Sequence, residues 1–139
     1  MLRTLPKKAW GVGIDGIEIE RVRESVLKYG PLFLNRVYTE EERHHCLGKR
    51  NPFPSLAVRF AAKEAVSKAF GVGIGRLLGW TSISIQTDPQ GKPQVHLDPQ
   101  GQALLAEGAK IFVSLSHTRS LAQAVAILVV PRIPDRSFP

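Results

Sequence analysis

Residues 55–70 set the strongest constraint on this chain. The run from Ser55 to Phe70 is rich in alanine and other strong helix formers, and Gly71 follows as a stop signal. It reads as one long helix. On that helix Phe60, Glu64 and Lys68 stack at i, i+4 and i+8, and Arg59 and Lys63 form the neighbouring row. Two readings stand side by side. One is an amphipathic surface helix with a Glu64–Lys68 pair contributing roughly a few tenths of a kcal/mol. The other starts from Ala61, Ala62, Ala65 and Ala69, whose small side chains let a second backbone or a ligand come close. A carboxylate flanked by two amines also suits a metal-bridged phosphate, with the carboxylate on the cation and the lysines on the oxygens.

Upstream, Trp10, Val12 and Ile14 alternate with Gly11 and Gly13, which reads as a strand over 9–14. Glycine weakens a strand, so the pair points to something approaching this backbone closely. Asp15 stands where that strand is expected to stop. It is either the N-cap of the next helix or a second carboxylate for Mg²⁺, an ion that takes one or two carboxylates plus phosphates and waters. Ile19, Val22, Val26 and Tyr29 then repeat at helical steps until Gly30-Pro31. Thr39-Glu40-Glu41-Glu42 has capping-box spacing and opens another helix, and the basic stretch 48–54 reads as a loop.

After the Gly-rich loop 71–75, Ile83 and Ile85, then Val95 and Leu97, flank the turn Asp88-Pro89-Gln90-Gly91 as a hairpin. A short helix over 102–107 and two buried strands, 111–116 and 121–130, complete the expectation. Residues 1–130 read as a single domain, and 131–139, with three prolines, as a flexible tail. This order of elements points to an α+β domain.

Composition narrows the function classes. A net charge of +7 calls for an acidic partner without choosing between nucleic acid, nucleotide phosphates and protein. The basic residues are scattered, and aromatics number only ten, so a stacking platform for nucleic acid is not expected. A non-catalytic RNA-binding domain therefore rests on charge alone, and it requires strongly salt-dependent polynucleotide binding. No apolar run is long enough to span a membrane, and the lone Cys46 suits a reducing compartment, so the expected location is the cytoplasm. Several local motifs carry little by themselves. Ser114-Leu115-Ser116-His117-Thr118 is a polar strand end that serves equally as a turn or as a phosphate or ribose contact. Gly71-Val72-Gly73-Ile74-Gly75 lacks the Lys-Ser/Thr of a phosphate-binding loop. His44, His45 and Cys46 are adjacent rather than spaced as metal ligands.

Taken in order, the pieces resemble the holo-acyl-carrier-protein synthase family of 4′-phosphopantetheinyl transferases. Gly13-Ile14-Asp15 with Arg21 looks like that family's G-[IT]-D…R opening. Phe60 to Gly71 fits its F-x-x-K-E-A-x-x-K-A-x-G signature at every specified position. Gly91-Lys92-Pro93 and Ser114 to Thr118 fit its G-K-P and S-x-S-H-[TS] stretches. The likeness runs from about residue 10 to 130. It implies the 4′-phosphopantetheinyl transferase fold, a mostly antiparallel sheet against helices that include a long central one. It also implies transfer of 4′-phosphopantetheine from coenzyme A to a serine of an acidic acyl carrier protein, in fatty acid biosynthesis.

The resemblance further implies that Asp15 and Glu64 ligate Mg²⁺ and that Lys68 and Glu64 act in catalysis. Arg59, Lys63, Lys68, Gly73, Ser116 and His117 would bind coenzyme A, and Arg21 would meet the carrier. The family is homotrimeric, with sites shared between subunits. Gly16 stands where a branched apolar residue is common, and residues before Trp10 and after Val130 are additional.

Overall fold

The computed structural model of the chain describes residues 7–132. Its first strand, β1 (Gly11–Glu18), leads into helices α1 (Ile19–Tyr29), α2 (Pro31–Val37), α3 (Glu40–Leu47) and the long α4 (Phe53–Phe70). A 3-10 turn at Trp80–Ser82 follows, then β2 (Ile83–Thr87), β3 (Pro93–Leu97), the one-turn helix α5 (Pro99–Gln102), β4 (Lys110–His117) and β5 (Leu121–Val129). Two antiparallel sheets result: β1-β5-β4, and the hairpin β2-β3. Helix α4 packs on β1 and β5 and also touches β2. The architecture is α+β, as the sequence indicated.

Strand β1 inverts the usual alternation. Gly11 and Gly13 face the core, while Val12 and Ile14 are 65% and 66% exposed. A Cβ on Gly11 would sit 1.9 Å from the Ala69 carbonyl oxygen, and one on Gly13 would sit 1.9 Å from that of Ala65. The close neighbour signalled by the two glycines is thus the backbone of α4, met at its own small residues.

The strand also runs further than expected. It pairs with β5 through Asp15↔Ala124 to Glu18↔Leu121, so Asp15 is a mid-strand residue. The N-cap of α1 is Glu18, whose side chain makes no capping bond. The capping reading of Asp15 therefore falls.

Gly30-Pro31 does end α1, but Pro31 then opens α2, a helix not foreseen from the sequence. Proline suits a first helical position because the N–H it lacks would have no partner there. Thr39 and Glu42 form both halves of the anticipated capping box. Gly71 caps α4 at φ 74°, a left-handed conformation in which a side chain is strained. The short helix expected over 102–107 lies instead at Pro99–Gln102. There the Asp98 carboxylate accepts from the Gly101 N–H at 2.8 Å and fixes the start. The expected tail lies outside the described residues except for Pro131 and Arg132.

The β1–α4 contact yields a contrast. Gly13→Ala should cost about 3 kcal/mol, the upper end for overpacking, because the clash is with backbone that cannot rotate away. Gly16→Ala, whose nearest neighbour would be 3.6 Å away, should leave Tm nearly unchanged. Equal melting temperatures for the two variants would contradict this packing.

Candidate active site

Asp15 on β1 and Glu64 and Lys68 on α4 meet where the strand crosses the helix. The Lys68 ammonium donates to the Asp15 carboxylate at 3.1 Å and to the Ile14 carbonyl at 2.9 Å. The simple Glu64–Lys68 surface pair does not form among the described residues, because Lys68 turns to Asp15 instead. Partial burial pushes the Glu64 carboxyl above the usual glutamate range, the Asp15 charge pushes it further, and Lys68 pulls it partly back. Two carboxylates raising one another's energy are a donor set that a hard cation relieves. Mg²⁺ takes such sets, completing its shell with waters and substrate phosphates. Among the described residues no group of three or more His, Cys, Asp or Glu gathers, so most of a cation's shell here would have to come from substrate and water.

The neighbouring row of α4 is used differently. In an antiparallel hairpin every second residue turns its N–H and C=O away from its partner strand. In β2 those outward groups belong to Ile83 and Ile85, and charged side chains take them up. Lys63 Nζ donates to the Ile83 carbonyl at 2.6 Å and to that of Trp80 at 2.9 Å. It also pairs with Glu42, and both side chains are fully buried. The Ile85 N–H donates to Glu42 Oε2 at 3.0 Å, and the Ile85 carbonyl accepts from Arg59 Nε at 3.2 Å.

This corrects the expectation for Lys63. With 0% exposure and its donors occupied, it holds a sheet edge and does not face a ligand. Burial pulls its pKa down, and Glu42 opposes that shift. One signal was available: Lys63 lies one residue from Glu64, hence about 100° around the helix from it, on a face that must meet the core.

Arg59 is also buried, at 4% exposure, but it reaches the wall of a groove. Its guanidinium donates to Ser55 Oγ (2.7 Å) and Thr87 Oγ1 (3.2 Å) and, among the described residues, pairs with no carboxylate. The groove, of about 510 Å³, is lined by His45, Lys49, Thr87, Lys92, Pro93 and Ser114 besides Arg59. None of its lining residues is acidic. Partial burial, then Arg59, Lys49 and His44, push the His45 pKa down. A desolvated guanidinium with only neutral acceptors, in a groove that also carries Lys49 and Lys92, has the chemistry to take an anion, and guanidinium suits phosphate. Lys49 and Lys92 were missed as site residues, although the basic loop and the G-K-P turn that carry them were both visible.

Gly73 has φ 67° with open space where a Cβ would stand, and Ser116 and His117 are exposed at the end of β4. None of these three lines the Arg59 groove, and neither do Asp15, Glu64 and Lys68. Arg21 is exposed on α1 and forms no ion pair among the described residues; the pair on that helix is Arg23–Glu20. Of the expected residues, Asp15, Glu64 and Lys68 thus form a carboxylate–lysine cluster and Arg59 lines a separate basic groove, while Lys63, Gly73, Ser116, His117 and Arg21 lie in neither.

The profile of the 4′-phosphopantetheinyl transferase superfamily matches residues 11–128. This chain belongs to that superfamily. It is 52% identical to the holo-[acyl-carrier-protein] synthase of Chlamydia trachomatis serovar L2 over 120 residues, covering 85% of this chain and 98% of that protein. Its fold is similar to the crystal structure of the Neisseria meningitidis holo-[acyl-carrier-protein] synthase, with a TM-score of 0.79 and 32% identity over 85% of this chain and 96% of that one. The Helicobacter pylori synthase, solved in complex with coenzyme A, gives a TM-score of 0.74 at 32% identity over 84% of this chain and 98% of that one.

The two lysines of the signature should separate by stability. Lys63→Met leaves Glu42 charged and buried alone and should cost about 3–5 kcal/mol. Lys68→Met removes a half-exposed pair and should cost less than about 1 kcal/mol. Chemical denaturation of both variants checks this, and a marginal loss in Lys63→Met would restore it as a ligand-facing group.

Proposed function

We propose that this chain transfers the 4′-phosphopantetheine group of coenzyme A to a serine of apo-acyl carrier protein. The products are holo-acyl carrier protein and adenosine 3′,5′-bisphosphate. The meeting of Asp15, Glu64 and Lys68 carries this reading. The named relatives, one of them in complex with coenzyme A, support it. Cytoplasmic fatty acid biosynthesis is the setting it implies. No helix among the described residues is long and apolar enough to cross a membrane.

In this reaction the serine hydroxyl gives up its proton, to Glu64 or to water, its oxygen forms a bond to the phosphorus that bears the pantetheine arm, and the bond from that phosphorus to the nucleotide's bridging oxygen breaks. Charge builds on the departing nucleotide. Asp15 and Glu64 would hold Mg²⁺, which when bound neutralises phosphate charge. The Lys68 Nζ donates to the Asp15 carboxylate and the Ile14 carbonyl and has donor capacity left for a phosphate oxygen. Arg59, with Lys49 and Lys92, receives a phosphate of the nucleotide in the groove, and Gly73, Ser116 and His117 line its path. The rate then comes from positioning and electrostatics, with no covalent enzyme intermediate.

The separation of cluster and groove supports a homotrimer with shared sites. The outer face of the β1-β5-β4 sheet carries Val12, Ile127 and Phe112 in one row, 65%, 45% and 49% exposed, with Ile14 beside them. Such a face is an assembly surface, and a closed ring covers it once per subunit. Intact-mass analysis of apo-carrier incubated with this chain, coenzyme A and Mg²⁺ should show the added phosphopantetheine, and Glu64→Gln and Arg59→Met should each nearly abolish it. Re-assembling those two inactive variants together should restore part of the transfer, because mixed rings contain sites with both residues intact. An active Glu64→Gln enzyme refutes the metal assignment, and a mixture that stays inactive refutes the shared site.

Arg21 would dock the acidic carrier. It is exposed and free of an intrahelical pair among the described residues, and the exposed Lys28, two turns along α1, shares its helix face. Arg21→Glu should raise the KM for carrier protein roughly tenfold or more, with the KM for coenzyme A and Tm unchanged. An unmoved carrier KM removes α1 from the docking face.

A further inference from the structure

We propose that Glu42 is a positioning residue of the Arg59 groove, setting the guanidinium through the backbone of Ile85. The inference rests on the reading that this groove takes a phosphate of the coenzyme.

Glu42 is 1% exposed and uses both carboxylate oxygens. Oε1 accepts from the Thr39 N–H at 2.9 Å and from Thr39 Oγ1 at 3.2 Å, and it faces Lys63. Oε2 accepts from the Ile85 N–H at 3.0 Å. The carbonyl of that same Ile85 receives Arg59 Nε at 3.2 Å. One peptide stretch therefore has a carboxylate on its donor and a guanidinium on its acceptor. Thr87, two residues along the same strand, takes Arg59 Nη2. A sideways shift of β2 would carry both acceptors with it and rotate the guanidinium, re-aiming the N–H that Ser55, Ile85 and Thr87 leave free for the groove.

The charge arrangement points the same way. Glu42 neutralises Lys63 and stands one residue's backbone away from Arg59, whose own acceptors are all neutral. The carboxylate fixes the arginine's frame without pairing with it, so the positive charge stays available to the groove. A capping box needs only Oε1. The contact of Oε2 with a sheet edge 43 residues away is additional to that duty.

Glu42→Gln tests this, because a side-chain amide offers one acceptor oxygen to three sets of donors and must abandon Ile85 or the Thr39–Lys63 pair. In steady-state assays with apo-carrier and Mg²⁺, KM for coenzyme A should rise about tenfold while kcat and the carrier KM stay within about twofold. The Arg59 Nε–H NMR signal should shift, a readout that a merely structural role leaves in place. Glu42→Asp keeps the charge opposite Lys63 but withdraws the reach to Ile85. It should give the same split if the amide variant does not fold. A folded Glu42 variant with normal KM for coenzyme A overturns the proposal, and so does loss of folded protein in both variants, which would make Glu42 scaffold alone. Arg59→Met separates the two levels. If it leaves the affinity for coenzyme A unmoved, the groove reading fails. If it weakens coenzyme A binding while Glu42→Gln does not, only the positioning inference fails.

Discussion

Helix α4 can lie on β1 only because both sides of the contact have given up side chains. Gly11 and Gly13 present bare backbone to Ala65 and Ala69, and even one methyl on either glycine would run into a carbonyl oxygen. That approach brings the Ile14 carbonyl and the Asp15 carboxylate within hydrogen-bonding reach of Lys68. A strand with ordinary core side chains would stand several ångströms further off, and the cluster of Asp15, Glu64 and Lys68 would not close. The residues of the site and the residues of the packing are therefore interleaved along the same two elements. The apolar side chains of β1, displaced from the core by its glycines, turn outward and become the exposed face of the sheet.

Charge is partitioned around the same helix. Glu64 and Lys68 lie on the side where water and a ligand reach them. Lys63 and Arg59 lie on the side that meets the hairpin, where each charge carries a desolvation cost. For Lys63 a buried carboxylate offsets that cost, and the pair caps an open strand edge that would otherwise hold unpaired backbone groups. For Arg59 no carboxylate does so among the described residues, and neutral acceptors meet its donors. Among the described residues no buried side-chain nitrogen or oxygen is left without a partner, so both solutions are complete as hydrogen bonding. Only the second leaves net charge facing a groove. One helix thus supplies a strut from Lys63 and a groove-facing charge from Arg59, residues four apart.

What the sequence made legible follows from how local each signal is. The long helix, its Gly71 stop, the Thr39–Glu42 box and the hairpin are each written in fewer than twenty neighbouring residues and appear where expected, except that the helix starts at Phe53, inside the stretch read as a loop. The glycines of β1 announced a close contact without naming the partner, because the partner is fifty residues away. The end of β1 was misplaced because the strand's length is set by pairing with β5 and not by its own alternation. Helix α2 was missed because Gly30-Pro31 is as good a start as a stop. Lys63 was assigned to a ligand because a signature reports which residue types recur, not which way each points. Its burial depends on Glu42 and on β2, neither of which is adjacent in sequence.

The division of the site into two halves bears on why such a chain would assemble at all. A carboxylate–lysine cluster alone can hold a cation and one phosphate group, and a basic groove alone can hold an anion. Neither half presents what transfer of a large phosphoester requires, which is a cation, a cradle for the nucleotide and a path for an incoming hydroxyl. The groove is lined by the middle of β4, the tip of the hairpin, Arg59 of α4 and the end of α3, and the cluster sits at the crossing of β1 and α4. A second copy laid against the apolar outer face of the sheet would bury Val12, Ile14, Phe112 and Ile127. Assembly would then serve two needs with one surface, removing apolar side chains from water and setting one subunit's groove against the next subunit's carboxylates.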